Sequence, residues 1–137
     1  MNRRLKCSGG FSLIEVLIVL VIISLILGLV GPRVFKGEKK GKILAAKSQI
    51  ELFGGALDQL RLDTGNYPSS SEGLSALLAS SGMDGWDGPY LKKTSIPQDP
   101  WGSDYIYRFP GSHGEYDLYS WGPDKQEGTA DDIKSWE

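Results

Sequence analysis

Gly9-Gly10-Phe11-Ser12-Leu13-Ile14-Glu15-Val16 opens an apolar run that continues to Val30 and is interrupted only by Ser24 and Gly28, neither of them charged. Phe11 to Val30 is twenty residues, which at about 1.5 Å of rise per helical residue cross the roughly 30 Å hydrocarbon core of a bilayer. A buried helix of a soluble domain is usually shorter and carries a polar stripe. Residues 11–31 are therefore read as a membrane span. Glu15 is the exception inside it, because an ionisable group in an apolar setting is costly unless a partner offsets it. The next cation along the chain is Arg33. A cut after Gly10 would create a nearer one, a new α-amino group on Phe11, about one helical turn from Glu15. A neighbouring copy, staggered along the axis, would supply that amine equally well. Gly10 and Phe11 are thus the candidate processing site, and Glu15 the candidate assembly residue.

The order of these features excludes an ordinary secretory signal peptide, in which small residues at a cleavage site follow the apolar stretch. Here the glycines precede it, behind a leader, residues 1–10, that carries Arg3, Arg4 and Lys6. Cys7, the only cysteine, also lies in that leader. The remaining chain then has no disulfide, although small domains in oxidising compartments often rely on one, so another staple is expected.

The 137 residues allow one domain besides the span, and roughly a hundred residues suffice for a small core. Residues 32–137 are assigned to this head. Its charge is uneven. Arg33, Lys36, Lys39, Lys40, Lys42 and Lys47 against Glu38 give +5 just past the span, and from Ser48 onward six Lys/Arg face fifteen Asp/Glu, a net of −9. The basic collar suits lipid headgroups, an acidic patch on a neighbouring subunit, or simply a solvated helix face. The acidic head is no candidate for nucleic acid. A simple count of positive charges would leave the head in the cytoplasm, since the collar is more basic than the leader.

Pro32 stands where the apolar run ends and predicts either a helix break or a built-in bend. Ile43, Ala46, Ile50, Phe53, Leu57 and Leu60 then recur at spacings of three and four, the core face of an amphipathic helix over 36–62. Gly54 and Gly55 weaken that helix and permit a close approach. Gly65 and Pro68 end it. A short helix follows, with Ser70 or Ser71 as its cap, Glu72 in its first turn and Leu74, Leu77 and Leu78 on its apolar face. Tyr90-Leu91, Tyr105-Ile106-Tyr107-Arg108-Phe109 and Tyr116-Asp117-Leu118-Tyr119-Ser120 suit strands, the last two joined by a turn over 110–114 in which His113 is an exposed residue. Near the C-terminus, Asp124, Asp131 and Asp132 fall within nine residues of a glycine-containing loop. Hard oxygen donors on a flexible loop suit Ca²⁺, and a solvated acidic turn is the alternative. The spacing is not that of an EF-hand.

The leader with Gly9-Gly10-Phe11-Ser12-Leu13-Ile14-Glu15 resembles the class III signal of type IV pilins and pseudopilins. Three further stretches narrow that likeness: Asn66-Tyr67-Pro68 with Glu72-Gly73-Leu74-Ser75-Ala76-Leu77; Pro97 to Tyr105; and Tyr116 to Ser120 with Gly122-Pro123-Asp124 and Asp131-Asp132-Ile133. Together they are similar to the major pseudopilins of the type II secretion system, over nearly the whole chain. Trp121 and Lys125 depart from the pattern, standing where small residues are more usual. The resemblance implies an α+β, type IV pilin-like fold: a long N-terminal helix packed on a small antiparallel sheet, with a calcium-binding C-terminal loop. It implies a leader cut after Gly10 by a prepilin peptidase, methylation of the Phe11 amine, and a single-pass protein of the inner membrane with a periplasmic head. Calcium would be held by Asp124, Asp131 and Asp132 side chains and the carbonyls of Trp121 and Gln126. The implied function is that of a structural subunit and not an enzyme. Copies would form a homopolymer, the pseudopilus, with minor pseudopilins and an inner-membrane assembly platform as partners, supporting export of folded proteins across the outer membrane. A surface type IV pilin and a monomeric, membrane-anchored calcium-binding module are the rival readings.

Overall fold

A computed structural model of the chain describes residues 9–137; the leader residues Arg3, Arg4, Lys6 and Cys7 lie outside them. Helix α1 (Leu13–Thr64) takes up 52 residues. A 3-10 helix (Gly73–Leu77) and three short strands follow: β1 (Ile106–Arg108), β2 (Asp117–Ser120) and β3 (Ile133–Lys134). The strands form one antiparallel sheet in the order β1-β2-β3. The chain divides into two compact units, the first ending at Glu38 and the second spanning Lys39–Glu137.

In the first unit the large apolar side chains from Leu13 to Val30 are all exposed. α1 is long and apolar enough there to cross a membrane, and none of that window is buried within the protein. Ser24, the polar interruption, donates to the Leu20 carbonyl at 2.7 Å, which satisfies its hydroxyl without leaving the helix. Pro32 lies inside α1. Of the two readings of this proline, a break is not what the chain adopts. Pro32 lacks the N–H that would bond back four residues to the Gly28 carbonyl, yet helix continues on both sides.

The second unit is built on the expected stripe. Ala46, Ile50, Phe53, Leu57 and Leu60 of α1 are buried together with Ala56, and Ile43 packs at the margin. They meet Leu74 and Leu77 of the 3-10 helix, Tyr105 and Tyr107 around β1, Leu118 of β2 and Ile133 of β3. The Phe53 ring stands edge-on to Tyr105 with centroids 5.2 Å apart. Gly54 serves the close approach expected of it: a Cβ there would lie 3.1 Å from the Tyr116 hydroxyl, whereas Gly55 faces open space. At the helix end Gly65 takes a left-handed φ of 86°, and its N–H reaches the Arg61 carbonyl at 2.7 Å, the bond that glycine-capped helices use.

Three local expectations need correction. Tyr90-Leu91 is not a strand; the Tyr90 hydroxyl donates to Asp63 at 2.8 Å and accepts the Asp87 N–H at 3.0 Å, holding an irregular segment against the end of α1. Neither Ser70 nor Ser71 caps the short helix, because the Ser70 hydroxyl is spent on both main-chain groups of Phe109. Glu72 instead ties the segment together, accepting from the Ser69 N–H and hydroxyl and from the Ser81 hydroxyl. Those bonds, Ser81 foremost, hold its carboxyl below the ordinary range. Finally, β3 adds a strand where the composition suggests only loop. It has two residues, and its pairing with β2 is extended by the Ser135 N–H donating to the Leu118 carbonyl at 2.9 Å.

Candidate functional site

The two candidate sites lie at opposite ends of the sequence. At the N-terminal junction Gly9, Gly10 and Phe11 precede α1 and are exposed. A Cβ on either glycine would meet nothing within 4 Å, so no packing among the described residues demands glycine there. The Ser12 carbonyl accepts the Glu15 and Val16 N–H groups at 3.0 and 3.2 Å. This places Glu15 in the first turn of α1, where the helix dipole favours an anion.

The C-terminal loop grows out of β2 through a buried polar relay. Asp99, 4% exposed, accepts the Trp101 and Ser103 N–H groups on Oδ1 at 3.0 and 2.8 Å. Its Oδ2 takes the Ser120 hydroxyl at 2.6 Å. Ser120 Oγ in turn accepts the Gly122 N–H at 3.1 Å. Two hairpin-like segments, 99–103 and the start of the acidic loop, are thereby locked to the end of β2. In the sequence Asp99 is only one residue of a family stretch; no local signal marks it as an anchor, since its partner Ser120 is distant along the chain.

Past this anchor the loop curls on itself. Gly122 has φ 71°, and a Cβ there would collide with the Asp131 carbonyl, so glycine is required for the two ends of the loop to touch. Lys125 adopts φ 56° without being glycine, a conformation that costs about 1 kcal/mol or more. The predicted ligands are distributed unequally. Asp124 Oδ1 accepts the Gln126 N–H at 3.0 Å and Asp132 Oδ2 accepts the Gly128 N–H at 2.8 Å. The Thr129 hydroxyl lies 3.4 Å from both the Gln126 carbonyl and Asp132 Oδ1, so these two oxygens are gathered around one group. Asp124 and Asp131 remain exposed. Among the described residues no three His, Cys, Asp or Glu side chains converge as a metal shell.

The donor chemistry nevertheless fits a hard cation: carboxylates and main-chain carbonyls on a curled loop, as Ca²⁺ prefers. Glu127 takes no part; it pairs with Arg108 at 2.8 Å and accepts the Tyr119 hydroxyl. Burial first, and Glu127 second, push that tyrosine up to about 12.

His113 is more than an exposed turn residue. Its ring stacks flat on Trp136, with centroids 4.1 Å apart and planes within 2°, and its Nδ1 is 3.1 Å from Asp117 Oδ2. The buried Asp117 carboxylate also accepts the Ser112 and His113 N–H groups at 2.9 and 3.0 Å. Burial alone would raise its pKa, but the three donors outweigh it and hold the carboxyl below its ordinary value. This set pins the 110–114 turn and the segment around Trp136 to β2.

Two family profiles tile the sequence: "Prokaryotic N-terminal methylation motif" over residues 5–31 and "Type II secretion system (T2SS), protein G" over residues 33–136. The type II secretion system core protein G of Pseudomonas aeruginosa is 41% identical, aligned over 100% of this chain and 99% of its own length. Its namesake in Escherichia coli K12 is 40% identical over 93% of this chain and 90% of that protein. Among solved structures, the crystal structure of the major pseudopilin from the type 2 secretion system of enterohaemorrhagic Escherichia coli matches with a TM-score of 0.65 and 32% identity. That match covers 74% of this chain and 87% of the other.

Proposed function

The chain belongs to the type II secretion system protein G family, and from that premise we propose how its two candidate sites serve a major pseudopilin, a structural subunit of that system. The observation that carries the reading is the division of labour along α1. Up to Val30 the helix is apolar and exposed, a surface that only lipid or other such helices can cover. From Ala46 to Leu60 the same helix buries one face in a domain core. A subunit anchored in the inner membrane with its head in the periplasm can therefore exchange lipid for neighbouring copies without refolding its head.

In this reading a prepilin peptidase cuts after Gly10 and methylates the Phe11 amine, and Glu15 pairs with such an amine as copies join into a periplasmic pseudopilus. Minor pseudopilins and an inner-membrane assembly platform are the further partners. Glu15→Ala should still insert and be cut, because losing the charge makes the span more apolar. Filaments sheared from overexpressing cells and counted by electron microscopy should fall by about tenfold or more, the factor carried by each ~1.4 kcal/mol of lost pairing. Wild-type filament yield from the variant would show that Glu15 is merely tolerated.

The second site is proposed to hold Ca²⁺ through Asp124, Asp131 and Asp132 and the carbonyls of Trp121 and Gln126. The cation would supply positive charge between neighbouring carboxylates and fasten a loop that has no disulfide. Ser120 and Gly122 fix one end of that loop, and Gly122 lets the other end, Asp131, come against it. A ligand bound only by the folded state stabilises it by about 2.7 kcal/mol at a hundred times its dissociation constant, several degrees of melting temperature for a small domain. Melting curves of the detergent-solubilised chain in calcium and in chelator should separate by that amount. The separation should vanish in Asp124→Ala and in the double variant Asp131→Ala, Asp132→Ala. Mg²⁺ should substitute poorly, since it keeps its waters and demands an octahedral shell. Coincident curves for the parent would make the loop a solvated acidic turn.

A further inference from the structure

We propose that the indole N–H of Trp121 is a positioning donor for the cation-loaded C-terminal loop, taking up a hydrogen bond to an oxygen of that loop only when the loop closes on Ca²⁺. The inference rests on the calcium reading above. Its starting point is an anomaly. Trp121 Nε1 is the one buried side-chain nitrogen or oxygen among the described residues that has no hydrogen-bond partner. Leaving such a donor unmade costs about 1–3 kcal/mol, and folded proteins seldom do so without a reason. Trp86 shows the ordinary case in the same domain, its Nε1 donating to the Ala76 carbonyl at 2.8 Å.

The position of Trp121 supplies the reason. It directly precedes Gly122, whose N–H is fixed through Ser120 to the buried Asp99. The indole is thus carried on the anchored end of the acidic loop. An indole can only donate, so its missing partner must be an acceptor; Asp124 and Asp131 are exposed, and among the described residues the loop carboxylates form no cluster of three. A cation that gathers these oxygens moves acceptors toward the anchored end. A larger apolar ring is one thing tryptophan adds over phenylalanine; the N–H donor is the other. Groups that support metal ligands from behind typically change metal affinity by roughly 10–100-fold when removed.

The test uses the full chain in detergent, with ¹⁵N-labelled tryptophan. Four tryptophans, Trp86, Trp101, Trp121 and Trp136, give four indole N–H resonances, and Trp121→Phe identifies the one of interest. Added CaCl₂ should move the Trp121 resonance downfield and slow its exchange with solvent, while that of Trp86, already bonded, stays in place. Trp121→Phe should bind calcium about tenfold more weakly by titration calorimetry. In chelator it should lose only what the smaller ring loses in packing; in calcium it should fall further below the parent, by the missing bond as well. A purely structural role for the ring would lower both curves alike. If the parent is stabilised by calcium but the Trp121 resonance does not respond and the variant binds equally well, the inference is overturned while the calcium site stands. If the parent ignores calcium, both fall.

Discussion

Leucine in place of Gly10 is expected to leave the chain unprocessed, with intact-mass analysis of the membrane-extracted protein showing the leader still attached and no added methyl group. The parent should begin at Phe11 and be heavier by one methyl. The size of the effect follows from geometry. Gly10 lies outside α1, its neighbourhood is empty within 4 Å, and it is exposed. The substitution therefore leaves the described fold untouched, and under the proposed processing a loss would arise where the peptidase engages this junction. A site shaped for a hydrogen misplaces the scissile bond when a branched side chain arrives, and a misplacement of about 1 Å costs on the order of a hundredfold in rate. Gly9→Ala, at a position equally free of internal constraint, distinguishes reading of the residue before the cut from general crowding. A variant at Gly10 that still yields a chain beginning at Phe11 would show that glycine is not what sets the cut, and a parent cut beyond Val30 would remove the cleavage assignment itself.

Phe53→Ala should be the most damaging single change in the head, lowering stability by about 3–5 kcal/mol. Phe53 has no exposed surface, and its ring meets Tyr105 edge-on. Removing it leaves a cavity between α1 and the segment leading into β1, beneath a sheet too small to collapse into it. Small domains hold only about 5–15 kcal/mol in total, so the variant should melt more than ten degrees lower, at roughly 4–8 °C per kcal/mol. The neighbouring Leu52, 63% exposed, provides the contrast: Leu52→Ala should shift the midpoint by only a few degrees. Equal losses at the two positions would mean that the core face of α1 has been assigned to the wrong side.

That face is legible in the sequence itself, because six apolar residues repeating at threes and fours admit one helical reading. The same holds for the apolar N-terminal half of α1 and for the glycine that ends the helix. What the sequence conceals depends on partners distant along the chain. Asp99 looks like any loop aspartate until Ser120 is placed beside it, and His113 looks like a turn residue until Trp136 stacks on it. β3 has too few residues to show alternation and exists because β2 offers it an edge. Tyr90 has the composition of a strand, but its hydroxyl is engaged by Asp63 and Asp87, and tertiary contacts override a weak local preference. In the acidic loop the donor types are readable from composition, whereas the bonds that occupy Asp124 and Asp132 and the orphaned indole of Trp121 are not.

The smallness of the sheet has one more consequence. Its outer strands, Ile106–Arg108 and Ile133–Lys134, are three and two residues long and end in cationic side chains, with Pro110 close behind the first. Such edges are poor templates for a foreign strand, since long, flat, uncharged edges are the ones that seed amyloid. For a subunit that assembles as proposed above, a second, unplanned way of stacking would be a liability. With its backbone edges blunted, the head offers stray strands little to pair with, and in the proposed assembly the apolar N-terminal half of α1 is left as the surface along which copies would add.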